Sequence, residues 1–364
     1  MSDKTTRRMI RVYNQMAAVT LFFAGMFRSP PENFYPGNEV EFDIIRSEED
    51  VSIAVTDLST GYRMNEGSIY TNKSFIAPIH KEAIAMNSIQ LLDRTPGKNP
   101  FESPEYRTGL IAYMYDNMVK VEAKIRRAIE LQASQVLQTG TVTLTDSAGA
   151  SIYTIDFKPK TTHFPTSSPV WDGVSDDKMG DLESLADVIR ADGKRDVDRF
   201  IFGETAFKSF IKDTTVLAAL DNRRINRGSI NKPEMRGEGG KFHGWISIGS
   251  YSYEMWTYTG KYKHPVSGVI TPYLDPAKVI AISEGVRLDA TFGGIPNIGK
   301  LLGVGNAQLL PELPGRITNA AGGMDLHPNV WLSPDGENIF AGVGARPLMI
   351  PTAIDQYGCL DTGL

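Results

Sequence analysis

The feature that most constrains this chain is a single amphipathic run at residues 103–140. It opens with Ser103-Pro104-Glu105. Serine caps the free N–H groups of a first turn, proline suits the first helical position, and glutamate complements the positive end of the helix dipole. It closes at Thr139-Gly140, and glycine ends helices because it accepts positive φ. Between these ends Ile111, Met114, Met118, Val121, Ile125, Ile129 and Val136 recur mostly three or four apart, the helical period. Asp116, Lys120, Lys124, Arg127 and Glu130 fall to the other faces. At about 1.5 Å per residue the rod is roughly 50 Å long. A compact enzyme domain seldom needs one of that length.

The segments around the rod read as strands. Residues 39–45 alternate, with Val40, Phe42 and Ile44 on one face and Glu41, Asp43 and Ile45 on the other. Residues 51–56 predict a second strand, 57–68 a polar turn rich in Gly, Ser and Asn, and 69–79 extended chain ending near Pro78. Together they make a long β excursion with a polar tip, and a Pro/Gly linker at 93–103 leads into the helix. After Gly140 a hairpin follows: 141–145 out, a turn at 146–150, and a return to Phe157. Its face bearing Tyr153, Ile155 and Phe157 is the better candidate for burial.

From about Thr161 the pattern becomes a separate α/β unit. Residues 181–190 predict a helix buried through Leu182, Leu185, Val188 and Ile189. A buried strand at 199–202 precedes Gly203, and a helix at 204–212 turns Phe207, Phe210 and Ile211 inward. Residues 217–224 continue helical. Residues 228–244, full of glycine and charge, read as a mobile loop. Residues 245–248 and 251–259 predict a hairpin over Gly249-Ser250, and 278–282 a short strand. The final third alternates short strands with Gly/Pro breaks. There is no internal repeat and no low-complexity region.

Composition narrows the function. With 364 residues the chain can bury a large core, and its net charge of −5 gives no global basic excess for nucleic acid. Charge is uneven, however. Lys4, Arg7, Arg8, Arg11 and Arg28 face only Asp3 in residues 1–31, whereas residues 32–60 carry eight acids against Arg46. Either these stretches pair with oppositely charged neighbours or they are two solvated faces of one molecule. The single cysteine, Cys359, rules out a disulfide or multi-cysteine metal site within one chain. The histidines (His80, His163, His243, His264, His327) lie far apart, without metal-ligand spacing. The glycine-rich pieces lack the Walker lysine and the dinucleotide spacing, and there is no nucleophile-elbow serine. No catalytic, cofactor-binding or metal site is expected. Asn72-Lys73-Ser74 fits a glycosylation sequon, which has no meaning without secretion.

The first residues mimic a secretion signal, with Arg7-Arg8 before the apolar stretch 16–27. That stretch is too short to span a bilayer, and Arg28-Ser29-Pro30-Pro31 follows instead of a cleavage site. Met9, Val12, Tyr13, Met16, Val19, Phe23 and Met26 also fall at helical spacing, so the segment reads as an amphipathic arm docking its apolar stripe.

Several of these pieces, in this order, resemble the major capsid protein family of tailed phages typified by the lambda head protein E. Leu21-Phe22-Phe23-Ala24-Gly25-Met26-Phe27 looks like its Phe-rich arm, Val40-Glu41-Phe42-Asp43-Ile44 like the strand entering its E-loop, and Ser74-Phe75-Ile76-Ala77-Pro78-Ile79 like the strand leaving it. Gln138-Thr139-Gly140 is similar to the end of its spine helix, and Tyr153-Thr154-Ile155-Asp156-Phe157 to the hairpin return. Trp171 and the segments 182–189 and 200–210 look like the start of its axial domain. Arg346-Pro347-Leu348-Met349-Ile350-Pro351 is similar to its Arg-Pro-Leu-Pro-hydrophobic-Pro signature, with Met349 in place of a proline.

The resemblance implies an α+β Hong Kong 97-type capsid fold: an N-terminal arm (1–38), an extended E-loop region (39–92), a peripheral domain with spine helix and hairpin (93–160), an axial domain (161–335) and a return to the peripheral domain (336–364). It implies a structural subunit that self-assembles as hexamers and pentamers into an icosahedral shell around phage DNA. Partners would include a scaffolding protein, a portal and a decoration protein, with no membrane, and the virion would be assembled in the host cytoplasm. Phe22, Phe23 and Phe27 are candidate anchors of the arm on a neighbouring subunit, or else pack on their own. Arg7, Arg8 and Arg11 are candidate contacts to packaged DNA, or else are solvated or paired with acids. Some phages weld subunits by a lysine–asparagine isopeptide bond; Asn65, Asn72 and Lys73 lie in the loop, but no cross-link is expected. The arm begins almost at Met1, which suggests a separate scaffold. A nanocompartment shell of the same fold and a soluble α/β enzyme are the alternatives.

Overall fold

In the computed structural model, which describes residues 21–35, 39–45, 70–87, 106–145, 150–172, 176–220, 228–235, 239–295, 325–333 and 338–364, the chain is laid along the predicted helix. In order, β1 (Phe34–Tyr35), β2 (Glu39–Ile45), β3 (Tyr70–Ile76) and β4 (His80–Asn87) precede helix α1 (Tyr106–Thr139). The hairpin β5 (Thr141–Thr145) and β6 (Ser151–Asp156) follows it. Then come α2 (Lys178–Gly193), β7 (Val197–Phe202), α3 (Glu204–Phe210), α4 (Thr214–Leu220), β8 (Gly228–Met235), β9 (Gly240–Ile248) and β10 (Tyr251–Tyr258). A small hairpin, β11 (Lys261–Lys263) and β12 (Ile270–Pro272), leads to β13 (Lys278–Ser283) and β14 (Asp289–Gly293). The chain ends with β15 (His327–Leu332), β16 (Asn338–Ala345), β17 (Pro347–Ile350) and β18 (Tyr357–Asp361).

The centre is a six-stranded sheet in the order β18-β13-β7-β10-β9-β8. Side chains alternate across a strand, so one strand can feed two cores. On β7, Phe200 and Phe202 pack with Leu182, Leu185 and Phe210 of α2 and α3, while Ile201 faces the opposite core. On β13, Val279 and Ala281 join the α2–α3 side, and Ile280 and Ile282 join the side of α1. A sheet covered on both faces reads as continuous apolar runs, which is why 200–202 carries three buried residues in succession.

Helix α1 buries Met118, Val121, Ile125, Ile129 and Val136, as its spacing requires. Its proposed start at 103–105 lies outside the described residues, as do the side chains of Ile111 and Met114. It stops at Gly140, whose φ is +66° and whose N–H donates to the Val136 carbonyl at 2.8 Å. A Cβ there would run into the Pro159 ring, so glycine is needed both for the turn and for the close approach. A three-stranded sheet, β15-β16-β4, packs against the helix, and a second one, β1-β14-β17, receives the chain from the arm. Three further pairs, β2–β3, β5–β6 and β11–β12, join no larger sheet among the described residues.

Four sequence readings are corrected here. Glu130 is not on a solvent-facing side of α1 but fully buried. Leu137 and Ala133 lie within about 60° of it on the helical wheel, and both are buried, so the covered face is wider than the apolar stripe. The expected mobile loop at 228–244 instead contains β8 and the start of β9, paired in register from Gly228 with Ile246 to Met235 with Lys241 around an irregularity. Its glycines hid a strand at the sheet edge, where propensity counts less than an available row of hydrogen-bond partners. On the 141–157 hairpin Ile155 and Phe157 are buried but Tyr153, nearer the tip, is exposed. Finally, the α/β unit is not separate in sequence. β18 pairs with β13 from Lys278 opposite Asp361 to Ile282 opposite Tyr357, whereas β16 pairs with β4. The predicted strand at 51–56, its following turn and the linker at 93–103 lie outside the described residues.

Candidate assembly site at the arm, helix and sheet junction

The Phe-rich arm meets the fold where α1 crosses the six-stranded sheet. Residues Ala24–Met26 form one short 3-10 turn. The first N–H groups of such a turn have no partner within it. Here they find one on α1: the Glu130 carboxylate accepts from the N–H of Phe23 (3.0 Å) and of Ala24 (2.9 Å). Tyr258 at the end of β10 donates its hydroxyl to the same carboxylate at 3.0 Å. Three donors from two distant segments thus converge on one buried acid. A buried carboxylate is tolerable only when hydrogen bonds replace its lost water. Burial, and then the charge of Glu130, push the nearby Tyr273 hydroxyl well above the usual phenol value.

Aromatic packing closes the junction. Phe23 is fully buried, edge-on to Tyr258 at 4.9 Å, and Phe22 stacks on Tyr258 at 4.9 Å and 17°. Gly240 leaves room for the Phe22 ring, which a Cβ at that position would strike. Beyond Phe27 the chain runs beside β14: Arg28 N–H donates to Leu288 O, Ala290 N–H donates back to Arg28 O, and Phe34 stacks on Phe292 at 5.4 Å. A groove of about 570 Å³ remains between arm, helix and sheet, bordered by Met26, Ile129, Trp256 and Met349. At its edge Arg126 bridges Glu122 (2.7 Å) and Asp325 (3.5 Å).

Of the candidate anchors, Phe23 and Phe27 therefore pack within their own subunit, and Phe22 is partly buried against it. Of the two readings of these rings, the burial of Phe23 and Phe27 is that of packing on their own subunit. Arg7, Arg8 and Arg11 lie outside the described residues. Glu130 and Tyr258, which complete the junction, were missed. The only sequence signal was the i, i+4 series Glu122-Arg126-Glu130, which ordinarily marks an exposed helix face.

Two of the histidines, His163 and His243, are buried and hydrogen-bonded within the fold. His163 is buried between the Tyr357 carbonyl (2.9 Å) and Asp192 (3.0 Å). His243 sits 2.7 Å from the Thr257 hydroxyl, and burial, then Lys241, hold it below the usual histidine value. Among the described residues no group of three or more His, Cys, Asp or Glu side chains is placed to hold a metal ion. No helix of the described residues is long and apolar enough to cross a membrane.

Comparison with known proteins decides what this architecture is. The family model described as phage major capsid protein E matches residues 5–357, nearly the whole chain. The chain belongs to this family. It is a structural capsid protein that self-assembles into a shell, and its place is the virion. Its fold is the α+β Hong Kong 97 type. Among solved structures, a protein assigned as the capsid protein of a prophage of E. coli CFT073 is similar at 14% identity and a TM-score of 0.58, covering 81% of this chain and 79% of that one. The capsid of Ralstonia phage GP4 is similar over 98% and 91% of the two chains at 10% identity, with a TM-score of 0.47. The SrpI encapsulin of Synechococcus elongatus PCC 7942 is similar over 98% and 92% of the two chains at 11% identity, with a TM-score of 0.46. No curated protein sequence matches the chain.

Proposed function

We propose that this capsid protein closes as hexamers and pentamers into an icosahedral phage head, with the β2–β3 ribbon of each subunit laid over an adjacent one. The observation that carries this is the ribbon itself. Its strands pair from Glu39 opposite Ile76 to Ile45 opposite Tyr70, and its root is fastened by Phe75 against Phe157 at 5.2 Å. Beyond that root it joins no larger sheet among the described residues. A two-stranded ribbon is marginal alone in water, so it gains stability when a second surface covers it. In this reading residues 1–38 are the arm, 39–92 the E-loop region, 93–160 the peripheral domain and 161–335 the axial domain. Residues 336–364 return to the peripheral domain, except that β18 completes the axial sheet.

Assembly takes place in the host cytoplasm with a scaffolding protein, around a portal, and the finished shell accepts a decoration protein. The basic arm, through Arg7, Arg8 and Arg11, contacts packaged DNA without sequence preference and in a salt-sensitive way. Electron microscopy of the expressed chain, with its scaffold, tests the reading. Closed particles that protect DNA support it. Particles that enclose a protein cargo instead point to a nanocompartment, and discrete small oligomers under all assembly conditions overturn the shell.

A further inference from the structure

The β11–β12 hairpin presents an apolar knob that its own subunit does not cover. Val266, Val269 and Ile270 are 42, 60 and 68% exposed. The tip is nevertheless ordered. His264 N–H donates to Val269 O (2.8 Å), Gly268 N–H donates to His264 O (3.0 Å) with φ at +69°, and Ser267 N–H donates to His264 Nδ1 (3.2 Å). Below the tip Tyr262 packs on Tyr273 at 4.9 Å, and Tyr273 N–H donates to Gly260 O at 3.1 Å. Exposed aliphatic groups on a preformed turn lose little entropy when covered, which is how a docking surface is built.

Charge indicates what covers it. Residues 260–272 contain Lys261, Lys263 and His264 and no acid. The positive field extends to the foot of α3, where Lys208 first, and then Lys261 and Lys241, hold the Glu204 carboxyl below its usual value. The ribbon has the opposite character: β2 carries Glu39, Glu41 and Asp43, and Lys73 is the single basic residue of β2 and β3. Apolar residues, Val40, Phe42 and Ile44, alternate with those acids. We propose that the β11–β12 knob of one subunit is the seat for the acidic β2–β3 ribbon of a second copy. This rests on the ribbon-over-neighbour reading above and names its receiving surface. Opposite charges set the register and exclude wrong partners, and the aliphatic tip supplies the dry contact.

The test uses the full chain. Two variants, one with Ile270→Cys and a mass tag, the other with Asp43→Cys, are mixed before assembly and oxidised. The native Cys359 is buried and does not compete. A mixed disulfide dimer in assembled particles, absent from unassembled subunits, is the expected result. In parallel, K261E/K263E lowers particle yield more than about tenfold without changing the subunit's melting temperature, as does E41K/D43K, and the four changes together restore assembly. Wild-type yield from K261E/K263E with no mixed dimer overturns the pairing. If a cysteine-directed photo-cross-linker on the Asp43→Cys chain instead joins a neighbour elsewhere than the hairpin, the pairing falls but the ribbon-over-neighbour reading stands. If the wild-type chain builds no particle, both fall.

Discussion

The six-stranded sheet and the β2–β3 ribbon are both built of hydrogen-bonded strands, yet they stand at opposite ends of self-sufficiency. The sheet is covered on both faces, by α2 and α3 on one side and by α1 and the arm on the other. The ribbon has two strands and an anchored root. The sheet's stability belongs to the single subunit, whereas in the proposed assembly the ribbon's comes from the neighbour that covers it. A capsid protein needs both kinds of part, since a subunit complete on every side has no reason to associate.

Substitutions should separate the two regions by what they damage. The largest effect is expected in the sheet. Phe202→Ala removes a fully buried ring between β7 and α3 and should cost about 3–5 kcal/mol in denaturant unfolding of the isolated subunit. An unchanged midpoint would mean that the sheet is not the subunit's independent core. Next comes the junction. Glu130→Leu leaves two arm N–H groups and the Tyr258 hydroxyl without their acceptor, at about 2–4 kcal/mol, and speeds hydrogen exchange at Phe23 and Ala24. Unaltered exchange there would remove Glu130 as the arm's fastening. Gly140→Ala, which forces a Cβ toward Pro159 at positive φ, should cost about 1–3 kcal/mol and lower the melting temperature.

Val269→Ser on the knob should shift subunit stability by less than about 0.5 kcal/mol while reducing particle yield, the reverse of the sheet variants. The smallest effect concerns acid. Burial holds both His243 and His80 below the ordinary histidine value of 6.5. The unfolded chain therefore takes up protons that the folded one resists, so their contribution is full above pH 6.5 and is lost as pH falls below it. Unfolding midpoints measured from pH 7.5 to 5.5 should decline, and His243→Gln should flatten that slope. A slope unaffected by the substitution would place the acid response elsewhere.

How much was legible in the residues follows from the same contrast. The spine helix was readable because its stripe repeats over many turns and ends at a glycine with a steric reason to be one. The strands 200–202 and 278–282 were readable because burial on both faces leaves an unbroken apolar run. Strand β8 was not, because an edge strand takes its order from a neighbour's hydrogen bonds and needs no apolar signature of its own. Glu130 was not, because an acid at helical spacing among charged residues has the same appearance whether water or an arm amide supplies its donors. The knob at 266–270 was not, because exposure is a property of what fails to pack nearby.

By itself the sequence determined the local elements and the order in which they occur, since helix period, strand alternation and glycine turns act over a few residues, and that order was enough to bring the capsid family into view. Only the tertiary structure decided which polar groups are buried and which apolar groups are left bare. Phe23 turned out to be core, Glu130 its hydrogen-bond acceptor, and Ile270 a surface. The reason is that burial depends on contacts between residues more than a hundred positions apart, and no local pattern encodes those.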